Sequence, residues 1–294
     1  MRPATPLLLS AALAATVFLT GCGSRNATAG PAAPSATASC AAPAPTGAAA
    51  GPKRTTVTLV GPGCRTSPES TAELEVTNGE SEPFSYTVTL TVLDRSGQAL
   101  DSVPQTVASV APGRTVRRTV DTGLSPGGAA GAGAQLRIAK VRAVPTAEAP
   151  VAAGACPPAG IRVTADEVDA AMGLRAMGLH LTNCGTAAYR VNGYPQLQFL
   201  DVDRSPVPGI QVLQGTDRIA TGVVPDAPPR PVTLQPGESA SATLAWRNTT
   251  GSGDPVNVPY LRVTAQAGAP AVTVTPELDL GTTAAIGASA WRHE

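Results

Sequence analysis

The sequence predicts an all-β protein made of two antiparallel β-sandwiches, and three of its features support this. The 294 residues include 30 glycines and 29 prolines, a content typical of short strands joined by many turns. Apolar residues alternate with serine and threonine from Phe84 to Val92, which is the period-two pattern of a half-buried strand. Several motifs of the first half also recur in the second half, in the same order.

The N-terminus reads as a signal segment, residues 1–21, that ends at a cysteine. Arg2 precedes an apolar run that is too short to span a bilayer as a stable helix. The run ends in Leu19-Thr20-Gly21-Cys22, which resembles the bacterial lipobox. The resemblance implies cleavage before Cys22, acylation of its thiol and anchoring to the outer face of the cell membrane, with the lipid bilayer as partner. An ordinary secretory signal with a chance cysteine is the alternative.

Residues 22–54 form a tract of alanine, serine, threonine, glycine and proline with almost no large apolar residue. Such a tract cannot bury enough apolar surface to fold alone. We therefore expect a disordered tether that holds the folded part clear of the membrane.

The remaining cysteines are Cys40, Cys64, Cys156 and Cys184, an even set that suggests disulfides outside the cytoplasm. Of the connectivities available, clustering along the chain favours Cys156–Cys184, with Cys40–Cys64 as a less secure pair because Cys40 lies in the tether. The close C-x-x-C pairs of structural zinc sites are absent from the sequence, so no metal site is expected.

Residues 55–144 form the first predicted sandwich. Besides the alternating strand, strands are expected at Thr56–Val60, Ala72–Thr77, Val116–Val120 and Leu136–Val144. In the last of these, the apolar parity shifts between Ile138 and Val141, which predicts a β-bulge.

Residues 145–155 are predicted as a linker, and residues 156–294 as the second sandwich. The strands expected there are Met177–Leu181, Tyr189–Val191, Leu197–Phe199, Ile210–Val212, Val232–Leu234, Ala240–Trp246, Leu261–Val263 and Val272–Val274. One short helix is predicted at Ala165–Met172, because Thr164 and Glu167 have capping-box spacing.

The two halves share paired motifs: LEVTN with LHLTN, TVLD with QFLD, and VAPGRTVRRTV with LQPGESASATL. Together with turn signals spaced roughly every 8 to 12 residues, this favours two immunoglobulin-like sandwiches.

The second half carries LTNCGTAAYRVNGYPQLQFLD, VTLQPGESASATLAWR and LDLGTT, and over about residues 156–294 it resembles a domain of unknown function common in secreted actinobacterial lipoproteins. The resemblance implies a fold and an extracytoplasmic location but no activity. In much of that family a cysteine stands where this sequence has Tyr189, whereas the cysteine here is Cys184.

Catalytic chemistry has little support in the sequence. Lysine plus arginine and aspartate plus glutamate number 21 each, so no basic field for nucleic acid is expected. The histidines are His180, expected to be exposed or locally bonded in a strand, and His293, expected in a frayed C-terminus. No nucleophile-elbow or phosphate-loop motif occurs, so we expect no catalytic residues, no cofactor and no metal. Tyr194 is interpreted as a turn residue packed on the sandwich edge, with a ring that stacks on a ligand as the alternative, and Trp246 as a core residue.

We therefore expect a non-catalytic, membrane-anchored envelope lipoprotein that presents loops to an unknown envelope protein. The alternative is a module that binds an envelope glycan or a small ligand, but aromatic residues are only 3% of the chain, and sugar platforms use several exposed rings. The segment Gly209–Pro231, the main insertion relative to the first half, is the candidate contact surface. The alternative for this segment is a strand pair that completes a sheet.

Overall fold

The computed structural model describes residues 54–60, 71–94, 96–121, 135–225 and 227–294. The predicted signal segment, nearly all of the tether, and Cys22, Cys40 and Cys64 lie outside the described residues. Within these ranges, no helix is long and apolar enough to cross a membrane.

The first module is a sandwich of two three-stranded antiparallel sheets. One sheet has the order β1-β2-β5 and the other β4-β3-β6, the order of an immunoglobulin sandwich without its final strand. The strands are β1 (Thr55–Val60), β2 (Thr71–Asn78), β3 (Phe84–Leu93), β4 (Ala99–Val110), β5 (Thr115–Asp121) and β6 (Gln135–Pro145).

The alternation in β3 sets the core of the first module. Phe84, Tyr86, Val88, Leu90 and Val92 are all buried, while the residues between them are half-buried. They pack against Leu74 and Val76 of the opposite sheet, so one apolar layer lies between the two sheets. The predicted bulge in β6 is confirmed by a register shift where Lys140 and Ile138 pair with adjacent residues of β3.

The second module contains more strands, which form one large sheet and several small ones. The large sheet has the order β12-β19-β14-β9-β7, with β20 beside β14 and β8 beside β9; the small sheets are β11-β16-β17, β10-β13 and β15-β18. The strands are β7 (Ile161–Ala165), β8 (Asp169–Ala171), β9 (Leu174–Asn183), β10 (Tyr189–Val191), β11 (Gln196–Leu200), β12 (Gln211–Gln214), β13 (Val232–Leu234), β14 (Ser239–Arg247), β15 (Asn257–Val258), β16 (Tyr260–Thr264), β17 (Ala271–Val274), β18 (Leu278–Asp279), β19 (Ala285–Ala288) and β20 (Arg292–His293).

The core of the second module lies between the large sheet and β11-β16-β17. Leu179 and Leu244 of the large sheet pack in one cluster with Leu261 and Val263 of β16. Trp246 and Trp291 belong to the same cluster, as expected for Trp246. The all-β sandwich fold predicted from the sequence is therefore confirmed.

Two local predictions are wrong. Residues 165–172 form no helix; instead Ile161–Ala165 and Asp169–Ala171 both pair with β9. A capping box stabilises the first turn of a helix only weakly, and here the hydrogen bonds to a neighbouring strand are more favourable than so short a helix. The C-terminus is not frayed either. His293 pairs with Ala240, and the Glu294 amide donates to the carbonyl of Ser239.

The two modules are held together by buried and half-buried ion pairs. Arg142 donates from Nε and Nη2 to the two oxygens of Glu277, at 2.6 and 2.8 Å. Arg204 donates to Glu80 at 2.6 Å and lies 4.5 Å over the Phe84 ring. Between the modules, Val144, Leu200 and Tyr260 form a small apolar cluster. These contacts join the two modules.

The predicted linker takes part in this interface. It begins with a single 3₁₀ turn, Thr146–Glu148. Glu148 accepts hydrogen bonds from Arg262 at 2.7 Å and from the Thr273 hydroxyl at 2.8 Å. Burial opposes ionisation of Glu148, but these hydrogen bonds outweigh it and lower the pKa of the carboxyl. The first part of the linker is thus tied down to the second module.

Candidate functional site

The segment Gly209–Pro231 begins by extending the large sheet. β12 pairs in parallel with β19, and β12 is the edge strand on that side of the large sheet. The Gln211 amide donates to the carbonyl of Ala284, just before β19, and the Gly215 amide donates to Ala288 at the end of β19. The alternate residues Val212 and Gln214 therefore direct their backbone groups away from the sheet. The Val212 residue is 46% exposed, which is high for a valine in a strand.

The next part of the segment folds back onto the large sheet. Thr216 is buried, and a Cβ atom added at Gly287 would lie 2.5 Å from the Gly215 carbonyl oxygen. Arg247 holds this part by donating to the carbonyl of Ile219 at 3.2 Å. The alternative prediction, that this segment completes a sheet, is therefore correct in part. One strand, β12, joins the sheet, where a pair of strands was expected.

The hairpin between β8 and β9 presents an apolar side chain that sequence reasoning missed. Met172 and Gly173 both have positive φ angles, 47° and 79°, as a type I′ turn requires. The backbone amide of Asn248 donates to the carbonyl of Gly173 at 3.0 Å. The Met172 side chain is fully exposed at the tip. The positive φ of Met172 is costly for a non-glycine residue, so the surrounding structure imposes it.

Strand registers place Met172 and Val212 at the same end of the large sheet. Across the sheet, Val212 of β12 pairs with Ile286 of β19, and Ile286 pairs with Trp246 of β14. Trp246 pairs with Arg175 of β9, which lies close to the hairpin tip. We call the end that carries Met172, Val212 and Ile219 the apolar rim. It combines three apolar side chains with backbone groups on a sheet edge, features that serve protein recognition better than chemistry.

A cleft of about 450 Å³ lies between the two modules. Its walls are the outer face of β3 and β4 on one side, and the ends of β7 and β17 on the other. Val144, Met177 and Val274 contribute apolar surface. Its hydroxyl-bearing residues are Ser85, Thr87, Thr106, Thr164, Thr273 and Thr275. Among the described residues that line it, Asp166 is the one ionisable group and none is aromatic.

His180 lies next to this cleft and bridges two carboxylates. Its Nε2 atom is 2.9 Å from Asp166 Oδ2, and its Nδ1 atom is 2.5 Å from Glu294 Oε1. The hydrogen bond to Asp166, opposed by burial and reinforced by Glu294, raises the pKa of the imidazole. His180 is thus locally bonded, one of the two situations expected for it. Through these two contacts His180 joins the side chain of Glu294, the last residue, to Asp166.

The remaining predicted residues have structural positions. Cys156 and Cys184 form the expected disulfide, with Cα atoms 5.7 Å apart. Tyr194 is half-buried and lines a small pocket of about 220 Å³ with Arg292. His293 lies 3.3 Å from Glu238. Across the described ranges, no group of three or more histidine, cysteine, aspartate or glutamate residues is arranged to hold a metal ion.

Comparison with known proteins identifies the second module only. Residues 156–292 match the model of a domain of unknown function, DUF4232. The comparison with curated proteins found no match. The match covers the module that carries the apolar rim and one wall of the cleft, and it assigns no activity to either.

Proposed function

We propose that this chain is a non-catalytic envelope lipoprotein that is anchored through Cys22 and binds an envelope protein through the apolar rim. Residues 1–21 would be removed, residues 22–54 would form the tether, and the folded modules would stand at the outer face of the cell membrane. The lipobox-like Leu19-Thr20-Gly21-Cys22 supports the anchoring, because dual acylation gives stable membrane attachment.

The observation that carries the proposal is the fully exposed Met172 on a conformationally restricted hairpin tip. Methionine is enriched in protein interfaces, and the backbone hydrogen bond from Asn248 to Gly173 helps to hold the tip in place before binding. The half-exposed Val212 and the outward backbone groups of β12 lie at the same end of the sheet. An extended segment of a partner could pair with this edge, while a different part of the same partner contacts Met172 on the hairpin, which lies three strands away in the sheet.

A glycan ligand has less support than a protein partner. The cleft has no aromatic ring among its described lining residues, and Tyr194 is the one aromatic residue at the small pocket beside Arg292. Flat apolar ring faces are what sugar-binding platforms use. The geometry therefore favours a protein partner at the rim.

The experiment is capture of envelope proteins by the full-length chain after chemical crosslinking in cells. Met172→Asp and Val212→Asp should each reduce recovery of the captured partner at least about fivefold, because each places a charge in an apolar contact. Leu100→Asp is the matched control, since Leu100 is 41% exposed on the first module, away from the rim. Equal recovery with all three variants would refute the rim as the contact surface.

Anchoring is tested separately. Cys22→Ala should move the chain from the detergent-soluble membrane fraction to the medium, or block removal of residues 1–21. Unchanged membrane retention with normal processing would show that Cys22 is not the anchor.

A further inference from the structure

The cleft between the modules has the features of a small-molecule site. Such sites enclose roughly 300–1,000 Å³, favour domain interfaces and combine an apolar lining with a few placed polar groups. This cleft has about 450 Å³ and lies between the modules. Its floor includes the buried side chains of Val144, Met177 and Val274.

The wall formed by the first module is held in one shape. β4 carries a bulge opposite Phe84 and Tyr86, and within it Ser109 adopts a left-handed φ of 52°. The Ser85 Oγ atom accepts the Ser109 amide at 3.2 Å and lies 3.2 Å from Thr146 Oγ1 at the start of the linker. The bulge, β3 and the linker are therefore tied together through one hydroxyl. A preformed wall reduces the entropy lost when a ligand binds.

The placement of Asp166 at the cleft depends on a glycine. A Cβ atom added at Gly178 would lie 2.1 Å from Asp166 Oδ2, so this strand position must lack a side chain for the carboxylate to sit over β9. The Nε2 atom of His180 lies 2.9 Å from the same oxygen, and Glu294 bonds the other ring nitrogen, Nδ1. The three groups carry a net negative charge whether or not His180 is protonated. The cleft thus has a positioned carboxylate and, among its described lining residues, no positive group.

From this geometry we infer that the cleft binds a small aliphatic amine. Its chain would lie against Val144, Met177 and Val274, its ammonium group would lie at Asp166, and the threonine hydroxyls would accept its remaining hydrogen bonds. An aliphatic carboxylate of the same length would bury the same apolar surface but meet the Asp166 charge with the wrong sign. This site is separate from the apolar rim and does not depend on the partner proposed there.

The experiment uses octylammonium chloride as the probe and methyl-¹³C methionine as the reporter, in the full-length chain carrying Cys22→Ala at pH 7 and low salt. Met177 lines the cleft, while Met172 is exposed at the hairpin tip and serves as an internal control. Octylammonium should shift the Met177 signal in a saturable way and leave Met172 unchanged. Sodium octanoate should bind at least about fivefold more weakly.

Two pairs of variants test the residues. Asp166→Asn should weaken octylammonium binding about two- to fivefold, the range expected of a partly exposed ion pair, while Glu167→Gln, a neighbouring carboxylate outside the cleft, should not. Thr87→Trp should fill the cleft and reduce binding at least about tenfold. Thr91→Trp, on the same face of β3 but outside the lining, should not. The proposal is overturned if octanoate binds the wild-type cleft as tightly as octylammonium does. It is also overturned if Thr87→Trp leaves octylammonium binding unchanged.

Discussion

Glu277→Ala tests how strongly the two modules are joined. Glu277 accepts two hydrogen bonds from the guanidinium of Arg142, whose side chain is only 7% exposed. Removing the carboxylate would leave a buried charge whose remaining hydrogen-bond acceptor, among the described residues, is the Val141 carbonyl. Breaking a fully buried pair costs about 3–5 kcal/mol, and Glu277 is 35% exposed, so we expect a loss of about 2 kcal/mol in unfolding free energy.

A second substitution separates the ion pair from backbone strain. Glu277 has a φ of 54°, a left-handed conformation that glycine adopts without steric cost. Glu277→Gly should therefore be about 1 kcal/mol less destabilising than Glu277→Ala. Lys140→Ala is the control, because this lysine lies 3.4 Å from Glu277 but is 39% exposed and should contribute under about 0.5 kcal/mol. Urea denaturation followed by circular dichroism measures all three. A loss below about 0.5 kcal/mol for Glu277→Ala would refute this view of the interface.

Three further predictions concern the second module. Cys184→Ser should lower the unfolding free energy by about 3.5 kcal/mol, because the disulfide closes a loop with a sequence separation of 28 residues; urea denaturation with and without reductant measures this, and equal stability in the two conditions would contradict it. Gly287→Ala should lower the unfolding free energy by about 1–3 kcal/mol, because the added methyl group would clash with the Gly215 carbonyl. If the variant has the same midpoint of thermal unfolding as the wild type, the segment after β12 is not held against Gly287. The pKa of His180 is raised in the folded protein, so its bridge stabilises the fold fully at pH values below the unfolded pKa near 6.5. This stabilisation is lost as the pH rises through the higher folded pKa. His180→Gln should remove that part of the pH dependence of the unfolding free energy, a change of less than about 1 kcal/mol because the side chain is 35% exposed.

The sequence predicts elements well where burial is one-sided and regular. β3 and β9 were recognised because their buried residues alternate strictly, and the bulge in β6 was recognised from a break in that alternation. β4 was missed because most of its residues are exposed and Pro104 lies within it, which removes both the apolar period and one backbone donor. The short strands β15, β18 and β20 depend on partners far along the chain, which no local pattern reports.

The candidate sites were harder to predict than the strands. Met172 was assigned to the end of a helix, although Met-Gly before an alternating strand is compatible with a two-residue hairpin turn. The parallel pairing of β12 with β19 joins residues more than seventy positions apart and has no sequence signature. The cleft combines residues of both modules, so only their relative placement creates it.

Photocrosslinking at the hairpin tip tests recognition of an envelope protein most directly. A photoreactive amino acid replaces Met172 in the full-length chain in living cells, and the same amino acid replaces Leu100 in a matched strain, since both side chains are exposed and apolar. We predict a discrete crosslinked product with an envelope protein from position 172 that is at least about fivefold more abundant than any product from position 100. Equal products from both positions, or none from position 172, would contradict the proposal that the apolar rim is the contact surface.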